Sequence, residues 1–336
     1  MRRKTLTINV LLMLASLSLC LSAPEAYLRI IAPKSPAGTT YGKEIRRNSD
    51  GFRDREFRIP KPENTYRILM LGDSFAWGVG LDVEQAIPKV LENSLAGDSQ
   101  GRRFEVINAA IPGYNTVEEL RLLQTRGLKY EPDMVILIYN LNDIEYKPDV
   151  SANQAGERLN ALPVVPGRAA ASAQFDHKQG IRGLIFKAEM HSELVAFITP
   201  RIGSLLRRAG IMSSLDYSWV EKQFQGFVDK NQGWVQSANS LRTIARMTGE
   251  RNIKFLVAIY PTLVELDRYR GKKAHETIRR LCEEIEVQSI DLLDVFENTN
   301  GRSYWINYLD AHPNARAHRM VADRLHLALK GLLPLS

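Results

Sequence analysis

The chain is expected to fold as an open α/β sheet, parallel and covered by helices on both faces. Three observations predict this. Tyr66-Arg67-Ile68-Leu69-Met70-Leu71 is a short, mostly apolar run that stops at Gly72, the profile of a buried parallel strand ending in a tight turn. Apolar runs of the same kind recur at 104–108, 134–138, 254–259 and 289–293. Helical patterns lie between them, and such alternation implies right-handed crossovers within one sheet.

Taken in order, residues 1–24 form a targeting segment outside the fold. Arg2, Arg3 and Lys4 make a positive flank, and 5–24 carries no charge. A helix of that length reaches roughly 30 Å, about one bilayer core. A cleaved signal peptide and an uncleaved signal anchor both suit such a segment. Cleavage after Ala23 would put Leu21 where a small residue is needed and Pro24 just past the cut. Cys20 follows a bulky Leu19, a poor lipidation box. The segment therefore reads as a transmembrane anchor, with its positive flank in the cytoplasm and the bulk of the chain exported.

Residues 25–65 read as a connector packed on the domain, punctuated by Pro33, Pro36 and Gly38. Within it Asn48-Ser49-Asp50-Gly51-Phe52-Arg53-Asp54 reads as a turn followed by a buried aromatic, an edge segment.

The domain proper spans 66–334. After the first strand, a helix over 83–95 places Ala86, Val90, Leu91 and Leu95 on one face. Strand 104–108 is followed by a helix over 116–128, with Leu120, Leu123 and Leu128 inward, and by strand 134–138. Residues 145–235 interrupt the alternation as a helical insertion. Its first part is rich in Pro, Gly, Ala and Ser. Its last part is a long amphipathic helix through Val220, Phe224, Phe227, Val228, Val235, Ala238 and Leu241. An insertion at the carboxyl end of a sheet reads as a lid shaping the substrate site; plain packing against the domain is the alternative. Strands 254–259 and 289–293 and a final helix over 314–329 complete the order.

Composition narrows the function classes. Of 336 residues, 44% are hydrophobic and 25% charged, and the net charge is +7. That excess includes no long Lys/Arg block, so nucleic acid is not an expected partner. Two cysteines, Cys20 and Cys282, make no disulfide framework, and the six scattered histidines carry no metal-binding spacing.

The loop Gly72-Asp73-Ser74 fails the glycine-rich alternatives. It has no Gly-Lys-Ser/Thr for a P-loop, Val83 stands where a dinucleotide fingerprint needs its last glycine, and Ala76 spoils the G-x-S-x-G elbow. The surviving reading is a serine at a strand end, where open α/β sheets hold ligands. Three more loops reach the same end: Asn108 to Thr116, Tyr139-Asn140-Leu141-Asn142-Asp143, and Leu309-Asp310-Ala311-His312-Pro313-Asn314. These types suit acyl transfer. A serine hydroxyl needs a base, and a histidine oriented by a carboxylate is the usual one. The backbone N–H groups of Ser74 and Gly113, with the Asn142 amide, form a set of donors for a developing oxyanion.

These four blocks resemble the SGNH, or GDSL-type, esterase/lipase superfamily. GDS at 72–74 matches its nucleophile block, IPGYNT at 111–116 its glycine block, NLND at 140–143 its GxND block, and DAHPN at 310–314 its closing Asp–His block. NSDGFRD at 48–54 resembles an element of the bacterial exported subgroup. The resemblance implies a flavodoxin-like three-layer α/β/α fold with a five-stranded parallel sheet in the order 2-1-3-4-5. It implies no cofactor and no metal. It makes Ser74 the nucleophile, His312 the general base, Asp310 the orienting carboxylate, and Ser74, Gly113 and Asn142 the oxyanion hole.

Two departures stand out. Asn140 replaces a glycine, and Asp310 lies two residues before His312 where the family commonly has three, a position held here by Leu309. Asp294 is the reserve carboxylate, and a Ser74–His312 dyad is a further arrangement. Asp73 is expected to brace its loop, and Asp143, His318 and His326 to be structural. The implied activity is hydrolysis or transfer of acyl esters, O-acetyl groups on envelope or secreted polysaccharide being favoured by export. A lipid esterase, and a catalytically silent carbohydrate-binding module of the same fold, are the competing readings.

Overall fold

The computed structural model describes residues 39, 40, 43–98, 101–146, 218–296, 301–307 and 310–333, with residues 18, 20–24, 26 and 27 near the amino terminus. The chain divides into two compact units, one from 1–37 with 166–215, the other from 38–165 with 216–336. The first is described only at those few amino-terminal residues. The anchor expected over 1–24 and the lid expected within 145–235 lie largely outside the described residues, as do His177 and His191. Among the described residues no helix is long and apolar enough to cross a membrane.

The second unit is built on a five-stranded parallel sheet. Its strands are β1 (Thr65–Gly72), β2 (Arg103–Asn108), β3 (Met134–Asn140), β4 (Lys254–Tyr260) and β5 (Gln288–Asp291). Their order across the sheet is β2-β1-β3-β4-β5, as the resemblance implied. Every residue of β1 and β3 is buried, which is why these strands read as continuous apolar runs instead of alternating ones. The chain leaves β1 for β2 on one side and returns to β3 on the other, with Met70 opposite Asn108 and Gly72 opposite Ile138. That reversal opens a crevice at the carboxyl end of β1.

The helices are α1 (Ser74–Trp77), α2 (Ile87–Asp98), α3 (Thr116–Leu122), α4 (Ser218–Val228), α5 (Gln232–Gly249), α6 (Lys272–Glu284) and α7 (Ala315–Leu329). Each turns an apolar stripe inward: Ile87, Leu91 and Leu95 from α2, and Val321, Ala322, Leu325 and Leu329 from α7, are fully buried. A short antiparallel pair, β6 (Trp305–Asn307) and β7 (Asp310–Pro313), precedes α7.

Some expected elements differ in extent. The helix expected over 116–128 is α-helical only to Leu122, then widens into a π-turn at Leu123–Gly127 and a 3₁₀ turn at Leu128–Tyr130. The helix expected from Val83 begins as a 3₁₀ turn at Val83–Gln85, and Val90 is only half-buried. The last strand stops at Asp291, whose side chain accepts the Leu293 N–H and starts a 3₁₀ turn. The single long helix through 220–241 is two helices, because Lys230 adopts a left-handed φ of 51° and Asn231 caps α5 by accepting the Trp234 N–H at 2.8 Å.

Candidate active site

Ser74 opens α1 at the carboxyl end of β1 and is 7% exposed. It is not the cap of this helix. Asp73 is, with one carboxylate oxygen accepting the Phe75 N–H at 2.8 Å. The other oxygen accepts from Asn142 Nδ2 at 2.9 Å. Asp73 thus braces its loop as expected and also anchors the Asn142 amide, leaving that amide's second N–H for another acceptor.

Gly113 lies in the loop after β2. Ile111 N–H donates to Gly72 O at 2.9 Å, tying this loop to the end of β1. The Tyr114 N–H closes a Pro-Gly turn on Ile111 O at 3.1 Å, and Gly113 at φ 78° takes the turn position that needs left-handed backbone. Asn142 sits in the 3₁₀ turn Leu141–Ile144 after β3. The second and third loops are joined to each other as well. Asn115 Nδ2 donates to Glu145 O at 2.9 Å, and Thr116 Oγ1 donates to Asp143 Oδ2 at 3.3 Å. Asp143 is therefore a brace, and Thr116 Oγ1 extends the network to Ser237 at 2.9 Å and, through Ser237, to Tyr139.

Asp310 and His312 lie on β7, 4% and 2% exposed. Side chains two apart in a strand share a face. That is how the short Asp-x-His spacing still brings the two side chains together: Asp310 Oδ1 receives both the His312 Nδ1 hydrogen bond, at 2.5 Å, and the His312 backbone N–H, at 3.0 Å. With Nδ1 donating, Nε2 is the nitrogen with a lone pair to offer. The His312 ring lies 5.6 Å from the ring of Phe75, the residue after Ser74. Asp294 points elsewhere, to Arg324 Nε at 3.0 Å.

The other described histidines are committed. His275, unassigned by the sequence, is a second buried His–Asp pair. Its Nδ1 meets Asp291 Oδ1 at 2.7 Å, and its Nε2 meets the Tyr269 hydroxyl at 2.9 Å, so neither nitrogen is left to act as a base. His318 is fully buried and accepts the Ile87 N–H on Nδ1 at 3.0 Å. Burial, reinforced by Arg53 and His312, lowers its pKa to about 3. His326 pairs with Asp98 at 2.8 Å. Among the described residues no group of three His, Cys, Asp or Glu side chains is placed to hold a metal ion.

Sequence reading passed over Arg53 and Asp54. Arg53 donates to the carbonyl oxygens of Trp77, Gly78 and Leu81, and Asp54 accepts the Asn108 N–H. The signals available were the buried-looking Phe52 beside them and the resemblance of NSDGFRD at 48–54 to an element of the exported subgroup, neither of which named their partners.

Against this geometry, the profile of the GDSL-like lipase/acylhydrolase family matches residues 70–320. The chain belongs to that family. This membership places it among ester-bond hydrolases. Of solved structures, TesA is 16% identical, with 80% of this chain and 99% of that one covered at a TM-score of 0.46. The lipase/acylhydrolase from Enterococcus faecalis is 14% identical, with 81% and 98% covered at 0.46. An uncharacterized protein of Mycoplasma pneumoniae is 42% identical over 89 residues, 26% of this chain; the match spans about a tenth (10%) of that relative's length.

Proposed function

We propose that this chain is a serine esterase in which Ser74 is the nucleophile, His312 the general base and Asp310 the carboxylate that orients it. The observation that carries this reading is the His312–Asp310 pair on β7, its imidazole against Phe75 beside Ser74. In the reaction, His312 Nε2 takes the Ser74 proton as Oγ attacks the acyl carbonyl. The oxyanion is received by the N–H groups of Ser74 and Gly113 and by the second N–H of Asn142. The proton then passes to the leaving alkoxide, and water, or a sugar hydroxyl in a transfer reaction, attacks acyl-Ser74 with His312 again as base. No hydrogen bond joins the Ser74 hydroxyl to His312 among the described residues; such bonds often tighten only when substrate is bound.

Labelling with a serine-directed fluorophosphonate, together with p-nitrophenyl acetate turnover, tests this. Wild-type protein is expected to be labelled and active, and Ser74→Ala and His312→Ala to be neither. Folded wild-type protein without label or turnover would favour a silent binding module.

The proposed substrate is a small acyl ester, O-acetyl in the first instance, on envelope or secreted polysaccharide. The support is the export reading of the charge pattern: Arg2, Arg3 and Lys4 ahead of an uncharged 5–24. We place the domain outside the cytoplasmic membrane, held by that segment. Fractionation of a tagged full chain, with protease added to cells stripped of their outer layers so that the outer face of the cytoplasmic membrane is accessible, should find it membrane-bound and cut from outside. Acetate release from acetylated polysaccharide should exceed turnover of long-chain esters; the reverse preference would point to a lipid esterase.

A further inference from the structure

Residues 48–54 form a turn held on one side chain. Asn48 Oδ1 accepts the N–H groups of Asp50 at 3.1 Å and Phe52 at 2.9 Å, and Phe52 is driven into the core against Tyr130. The next two residues are unusual for an edge segment. Arg53 is fully buried, with its guanidinium 4.5 Å over the Trp77 ring. Its hydrogen bonds go to main-chain carbonyls: Trp77 O at 3.1 Å, Gly78 O at 2.6 Å, and Leu81 O. These are the carbonyls at the carboxyl end of α1 and just beyond, the helix that Ser74 begins. Burying a guanidinium is unfavourable, and burial lowers the Arg53 pKa to about 10. Asp54 grips the neighbouring strand instead. Its Oδ2 accepts the N–H of Asn108, the last residue of β2, at 2.9 Å and pairs with buried Lys89 Nζ at 2.9 Å. Asn108 Nδ2 in turn reaches Trp77 O at 3.4 Å.

We propose that Arg53 and Asp54 are positioning residues that fix the loop of Ser74 against the loop of Gly113, and so set the spacing of the two backbone donors before substrate arrives. The proposal rests on the esterase reading above. Preorganised donors act on the transition state more than on bound substrate, so losing the staple lowers kcat with little change in KM. A purely structural role is separable from this one, because β1 carries a second buried guanidinium at its other end. Arg67 bonds Glu105 Oε2 at 2.9 and 2.6 Å and Tyr130 O at 2.7 Å, away from the site.

The test compares Arg53→Met, Arg53→Lys and Arg67→Met in the full chain. It reads p-nitrophenyl acetate kcat and KM, fluorophosphonate labelling rate, Tm, and amide hydrogen exchange over 72–81 and 108–114. Arg53→Met is expected to lose about 30-fold or more in kcat and labelling rate with KM within about threefold. Arg53→Lys should recover part of that, since an ammonium cannot hold three carbonyls in one plane. Arg67→Met should lower Tm with kcat within about twofold of wild type. Wild-type kcat in folded Arg53→Met overturns the proposal, as does an equal kcat loss in Arg67→Met. If Arg53→Met does not fold, wild-type kcat in Arg53→Lys overturns it. An unlabelled, inactive wild type would sink the esterase reading instead, and exchange then decides. Faster exchange in Arg53→Lys confined to 72–81 and 108–114 supports the staple; unchanged exchange there overturns it.

Discussion

An imidazole serves as a base when one nitrogen is held and the other is left to take a proton. His312 meets that condition through Asp310, whereas His275 has both nitrogens engaged. Asp310→Asn is therefore expected to lower kcat by about 10³-fold or more by admitting the wrong tautomer, while Asp294→Asn stays within about twofold. Turnover of p-nitrophenyl acetate by the two variants decides between the carboxylates. Asn142→Ala should cost about 10²–10³ in kcat with KM little changed, the signature of a lost oxyanion donor. The placement of Ser74, Gly113, Asn142, Asp310 and His312 in loops and turns around the sheet was legible, because each stands in a short motif that follows a strand run. The partners of Arg53 were not legible. The NSDGFRD motif marks residue 53 but not the carbonyls at the end of α1 that its guanidinium meets, and only the folded turn at Asn48 brings them together.

Helix contacts carry their own consequences. His318 ties α7 to the first N–H of α2 while neutral. Its folded pKa of about 3 lies below the ordinary 6.5. As pH falls below 6.5 the unfolded chain gains a proton that the folded chain refuses, so this contribution is whole above that value and is lost toward pH 3. Each pH unit between about 6 and 4 should remove about 1.4 kcal/mol of stability. His318→Asn should flatten that slope in urea titrations across the range. The elbow between α4 and α5 is a second such contact. A Cβ on Gly233 would stand 1.7 Å from Ile144 O, in the turn that carries Asn142. Gly233→Ala is expected to cost about 2–3 kcal/mol by denaturant unfolding. Periodicity found the apolar stripe through this elbow but could not show the break, since the amphipathic phase runs on through Lys230. The π-turn after α3 escaped for a similar reason: the apolar spacing runs on through Leu123 and Leu128, and only the structure shows Gly127 pressed so close to Leu69 of β1 that an added Cβ would stand 2.7 Å from it.

At the scale of the molecule, the sheet separates stability from chemistry. Its carboxyl edge holds the cross-braced loops, and its amino edge holds the buried Arg67–Glu105 pair, 0% and 2% exposed. Removing one partner strands a buried charge. Glu105→Leu alone should cost about 3–5 kcal/mol, whereas Glu105→Leu with Arg67→Met should be near neutral. Thermal unfolding of the single and double variants checks this. The architecture itself was legible because a doubly covered parallel sheet writes its strands as unbroken apolar runs.

The strand order also has a consequence in time. Ser74 follows directly on the first strand of the sheet, while His312 arrives on β7, after the last. At ordinary rates of about 5–20 residues per second, a ribosome needs roughly ten seconds or more to travel from one to the other. Throughout that interval the growing chain carries Ser74 without His312, the base proposed for it. On the roles proposed above, Ser74 is without its base until that final hairpin closes.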